Sequence, residues 1–156
     1  MTPRYDYEGV RQLVIAQIQG MSGWRHARHL FTGITTQGAV IGDRTFDVRT
    51  GAARPVSARG AGMERVALQV TLRLRHRASL LQGASGTDPT NADRQAARRR
   101  MQTRGLSIPT AIGVRWLSDA PPQIRVSGFQ DVDQLFELEF WTDLTVPGPD
   151  ADAGVL

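Results

Sequence analysis

The stretch from Met63 to His76, MERVALQVTLRLRH, constrains this chain more than any other part of it. Val66, Leu68, Val70, Leu72 and Leu74 hold every second position, and Ala67, Gln69, Thr71, Arg73 and Arg75 fill the positions between them. Side chains of an extended strand alternate between two faces, so the pattern dictates a strand with one apolar and one polar face. Such a strand is not stable alone. Its apolar face needs a covering layer, and its edges need partner strands.

The remaining segments supply both. Val10, Leu13, Val14 and Ile18 recur at helical spacing and predict a helix from about Asp6 to Ile18, with Asp6 as N-cap and Gly20 as the stop. Residues 21–38 mix Trp24, Leu30 and Phe31 with arginine and histidine, and read as a loop with a short strand. A strand is expected around Ala39–Arg49, where Phe46 and Val48 alternate with Thr45, Asp47 and Arg49. Thr50–Gly62, TGAARPVSARGAG, carries one large apolar side chain, Val56. It reads as a long flexible loop, or an extended arm that orders against a partner. A second Gly/Ser-rich loop covers Gln82–Thr87, and Asp88–Pro89 then starts a helix through Ala92, Ala96, Ala97 and Met101 to a stop near Gly105. Three alternating runs follow: Ile112, Val114 and Trp116; Ile124 and Val126 after Pro121–Pro122; and Phe136, Leu138 and Phe140, continuing to Val146. The order is α, β, β, α, β, β, β without a repeat. It predicts an α+β fold, a single twisted mixed sheet with two helices packed on it. One domain is expected over residues 1–146, with the long loop at 50–62, followed by a tail at 147–156 that is a terminal strap or disordered.

Composition narrows the chemistry. The 156 residues include no cysteine, which excludes disulfides, cysteine–zinc sites and thiol nucleophiles. No window approaches about 18 unbroken apolar residues, so no transmembrane helix and no membrane partner are expected. Met1–Glu8 is polar and mixed in charge, which argues against a secretory signal. All 19 basic residues are arginine, the side chain suited to planar, bidentate contacts. Residues 1–104 carry 17 arginines against seven acidic residues, whereas residues 105–156 carry two against eight. A basic and an acidic part in one chain suggest contact between copies, within the chain, or both.

No candidate catalytic constellation stands out. His26 and His29 have a spacing that would share a metal on a helix, but His76 lies between Arg75 and Arg77, and no cysteine or acidic cluster completes a site. Ser79, Ser85, Thr87 and Asp88 lack a nucleophile-elbow context. The glycines of 33–42 and 51–62 lack a phosphate-binding motif. An enzyme is therefore disfavoured, and neither metal nor cofactor is expected. Arg94, Arg98, Arg99, Arg100 and Arg104 make a basic helix. It would contact phosphate, stay solvated, or pair with a neighbour's carboxylates; stacking aromatics and a reader motif are both missing. Glu137, Glu139 and Asp143 occupy the outward face of the last strand, and Arg73 and Arg75 that of the longest one. They are expected to pair across the sheet or with another subunit. The candidate interface residues are thus Arg54, Arg59, Arg73, Arg75, Arg94, Arg98, Arg99, Glu137, Glu139 and Asp143.

The order of these pieces resembles the tail terminator proteins of long-tailed bacteriophages. The resemblance rests on the opening helix YDYEGVRQLVIAQIQG, the segment FDVRTGAARP, the pair ERVALQVTLRLRHR and DPTNADRQAARRRM, and the closing IGVRWL and FELEFW, spanning about residues 5–146. The long segment at 50–62 and the arginine density equally suit a related neck protein. The resemblance implies a subunit of a homo-oligomeric, hexameric ring in the virion tail or neck, assembled in the host cytoplasm. The ring would sit on the tail tube protein, end tube growth and join head-completion proteins, with DNA passing through its bore without sequence-specific contact. It carries no catalytic residues over to this chain. Two other readings compete: a nucleic-acid-binding module using the Arg94–Arg104 helix, and a small hydrolase or transferase.

Overall fold

The computed structural model describes residues 3–28, 30–32, 44–59, 62–77, 90–124 and 128–143. Its first helix, α1 (Tyr7–Gln19), begins where the Asp6 side chain accepts a hydrogen bond from the Gly9 backbone N–H. That carboxylate satisfies one of the free N–H groups of the first turn. Val10, Val14 and Ile18 line one buried stripe, with Gln17 buried beside them. The two-residue strand β1 (Arg25–His26) follows, then β2 (Thr45–Arg59) and β3 (Met63–Arg77). The second helix is α2 (Thr90–Gln102). Gly105, at φ +82°, then turns the chain in a conformation that suits glycine. The last strands are β4 (Gly113–Asp119), β5 (Gln123–Ile124) and β6 (Phe129–Asp143).

All six strands join one sheet in the order β1-β2-β3-β6-β4, with β5 also on β6. Only β1–β2 is parallel, so the sheet is mixed and the fold is α+β, as the sequence predicts. Three strands of 15 residues run side by side. At about 3.3 Å per residue each spans about 50 Å. Register opposes Val66 to Phe140, Leu68 to Leu138 and Val70 to Phe136, while Phe46 faces Leu74 and Val48 faces Leu72. This apolar face forms one core with Val10, Val14 and Ile18 of α1, Ala97 and Met101 of α2, and Ile108 and Ile112 beyond it. Both helices therefore cover the same side of the sheet.

One expectation is corrected. Residues 50–59 are not a loop; they are the second half of β2, paired with β3 from Val70 to Met63. Register shifts between Thr50 and Ala53 and between Pro55 and Ser57 each place one extra residue in β2. Gly, Ala and Ser carry weak strand propensity, but pairing with a strongly patterned neighbour overrides it. Pro55 is tolerated because, among the described residues, no strand pairs with the outer side of β2 there. The strand expected at Ala39–Arg49 begins at Thr45, and its first residues lie outside the described ones, as do Gln82–Thr87, Asp88–Pro89, Val126 and the tail at 147–156.

The two helices are clasped by side chains. Gln17 Nε2 donates to the carbonyls of Arg100 (2.6 Å) and Thr103 (3.1 Å), and its Oε1 accepts from Ile108 N (3.0 Å). In return Arg100 Nε donates to the carbonyl of Gln17 at 2.8 Å. Carbonyls near the C-terminal ends of both helices, which lack helical partners, are thereby satisfied.

Candidate interaction surface: the arginine–carboxylate face

The sheet's other face carries no helix from the described residues, and alternation alone places its charges there. Opposite partners share a face, so Arg73 meets Asp133 and Arg75 meets Asp131. Both pairs close as two parallel hydrogen bonds: 2.8 and 2.9 Å for Arg73, 2.7 and 2.8 Å for Arg75. The planar guanidinium fork suits this geometry. Arg54 of β2 lies opposite Ala67, whose small side chain lets it cross β3 and reach Glu137 on β6 at 2.9 and 3.3 Å. Arg115 of β4 reaches the same carboxylate from the other side at 2.7 Å. Arg65 holds Glu139 at 2.7 Å, and Arg4 holds Asp143 at 2.8 Å. The chain's basic and acidic parts thus meet within one sheet.

Aromatic rings brace these arginines. Phe31 lies under both Arg49 and Arg73, with ring centroids 4.6 and 4.4 Å from the guanidinium carbons. Phe129 sits 5.4 Å from Arg75. Electrostatics follows the geometry. Hydrogen bonds and charge from Arg54, joined by Arg115, hold the Glu137 carboxyl below its ordinary range against the opposing effect of burial. Hydrogen bonding to Asp133 raises Arg73 further. The pairs differ in weight. Arg75 and Asp131 are buried, whereas the side chains of Arg54 and Arg115 are 57% and 64% exposed and contribute little to stability.

Of the residues expected at an interface, Arg54, Arg73, Arg75, Glu137, Glu139 and Asp143 pair inside the chain. The partners of Arg73 and Arg75 are Asp133 and Asp131 rather than the three acids expected. Arg59 ends β2 opposite Met63. On α2, Arg94 accompanies Asn91 and Asp119, and Arg98 lies 3.9 Å over the Trp116 ring. Arg100 serves the helix clasp, and Arg104 donates to the Thr110 carbonyl at 2.6 Å. The Arg99 side chain is exposed. Asp131 and Asp133 escape sequence reasoning because the last strand is recognisable only from Phe136 onward; the alternation of Asp131, Asp133 and Leu135 with Val132 and Gln134 is its one earlier signal. The described histidines are tied to aspartates: His26 to Asp47 at 2.9 Å and His76 to Asp93 at 2.8 Å. His29 lies outside the described residues.

No protein-family model matches the chain, and no curated protein matches it. Among the described residues no helix is long and apolar enough to cross a membrane. Among the same residues no group of three or more His, Asp or Glu is placed to hold a metal ion.

Proposed function

We propose that this chain is a structural virion protein, a ring-forming subunit that caps a phage tail tube, ends its polymerisation and joins it to head-completion or neck proteins. The observation that carries this reading is the long sheet face, bare of helices among the described residues, on which arginines and carboxylates are held in pairs across four strands. Such a face is nearly balanced in charge. Arg54, Arg65, Arg73, Arg75 and Arg115 already have carboxylates, so a polyanion moving past finds few free cations to grip. The sequence resemblance to tail terminators supports the same reading. Ring closure requires two different surfaces of one subunit to meet, and, among the described residues, the outer side of β2 beyond its short pairing with β1 and the far side of β4 are two distinct sheet edges.

The nucleic-acid reading loses support from α2 itself, where Arg94, Arg98, Arg100 and Arg104 are already engaged. The test is capping. Purified chain added to growing tail tubes is expected to stop elongation and to appear as a ring at the tube end in negative stain. A chain that leaves tube length unchanged and binds no tube contradicts the proposal.

A further inference from the structure

Pairing on the arginine–carboxylate face is not one to one at Glu137. Its Oε1 accepts from Arg54 Nη2 at 2.9 Å and from Arg115 Nη2 at 2.7 Å, so one carboxylate serves two guanidiniums. The next carboxylate on this face of β6, Glu139, is taken by Arg65 at 2.7 Å. Three arginines thus share two carboxylates, and one positive charge is left over. The pairs beyond them along β6, Arg73 with Asp133 on one side and Arg4 with Asp143 on the other, are balanced.

The two guanidiniums are also open to solvent. The Arg54 and Arg115 side chains are 57% and 64% exposed, while the carboxylate that holds them is 9% exposed. A guanidinium has five N–H donors. Arg54 spends Nε and one Nη2 hydrogen on Glu137, and Arg115 spends one Nη2 hydrogen. Most of their donors therefore remain for another acceptor. On β4 the neighbouring position on this face is Gly113, opposite Glu139, and it raises no side chain beside Arg115.

We propose that Arg54 and Arg115 form a receptor for one side-chain carboxylate of a partner protein. The excess on this patch is a single positive charge, which matches a monoanion. A planar carboxylate accepts two parallel N–H bonds from a guanidinium fork. Glu137 holds the two forks side by side against their mutual repulsion, so an incoming carboxylate meets them without having to order two long side chains. A nucleic-acid strand needs a row of free cations, and the flanking arginines of this face are paired. The site needs only a partner's acidic side chain, so it stands or falls independently of ring closure.

The test is a nuclear magnetic resonance titration of the full-length chain, at fixed ionic strength, with an end-blocked Gly-Gly-Asp-Gly-Gly peptide. Saturable shifts of the Arg54 and Arg115 side-chain Nε–H signals are expected, with a dissociation constant in the millimolar range. Arg54→Gln and Arg115→Gln should each weaken binding about fivefold. Arg99→Gln, an exposed change on α2, should leave it unchanged. Circular dichroism melts of the variants are expected to stay near wild type, because exposed ion pairs add little stability. No saturable shift, equal shifts with the peptide carrying Asn in place of Asp, or equal weakening by Arg99→Gln overturns the proposal. A single-stranded oligonucleotide that shifts the same two arginines and binds more tightly than the peptide also overturns it, and assigns the site to a phosphodiester.

Discussion

Gln17 shows how much one side chain can hold when every polar atom is used. It is fully buried, and its amide meets two carbonyls and one N–H from the other side of the helix pair. Gln17→Ala strands those groups and is expected to cost about 2–4 kcal/mol, read as a lower urea midpoint. Gly20 has a related role that sequence rules misassign. Its φ of −69° needs no glycine, but a Cβ there would lie 1.9 Å from an Arg100 nitrogen. The residue stops the helix as expected, yet its smallness serves the arginine that crosses it. Among the face pairs, Arg75→Ala removes the bidentate partner of buried Asp131, with Arg73 still 3.9 Å away, and should cost about 1.5–3 kcal/mol in a urea melt. Glu137 sets a pH dependence. Because its folded-state carboxyl sits below the ordinary value of 4.5, its contribution is full above that value and is lost as pH falls through the lower one. Wild type should therefore lose more stability between about pH 5 and pH 3 than Glu137→Gln, and chemical denaturation across that range is the check. Equal losses would mean that its arginine pairs contribute nothing.

The elements differ in how plainly the sequence announces them. In β3, five apolar residues in strict alternation leave no competing period, and all five are buried. The α1 stripe and the Phe136–Leu138–Phe140 run are legible for the same reason. The second half of β2 is not, because Gly51, Ala52, Ala53, Ser57 and Ala58 carry no period of their own and are ordered by β3 beside them. The arginine partners are hidden too: which carboxylate each one meets depends on strand register, a tertiary property. This contrast should appear in exchange rates. β3 has paired strands on both sides along its length, whereas, among the described residues, 50–59 have a partner strand only on the inner side. Amide hydrogen exchange is expected to be slowest at Leu68–Leu74 and markedly faster at residues 52–58. Equal protection of the two segments would contradict a free β2 edge in the isolated chain.

At the scale of the whole molecule, charge that looks segregated along the sequence is woven together in space. Strand pairing brings the arginines of β2, β3 and β4 onto the carboxylates of β6, so the asymmetry between the two parts of the chain is largely spent inside the fold. In the proposed ring, self-association would depend on sheet edges rather than on gross attraction between oppositely charged halves. The central claim is that the chain is a building block that closes on copies of itself. Native mass spectrometry of the purified chain over a concentration series tests it most directly. The account expects one discrete oligomer, six copies if the resemblance to tail terminators holds, with few open intermediates once it forms. A monomer at every concentration, or a ladder of oligomers with no preferred closed size, would contradict it.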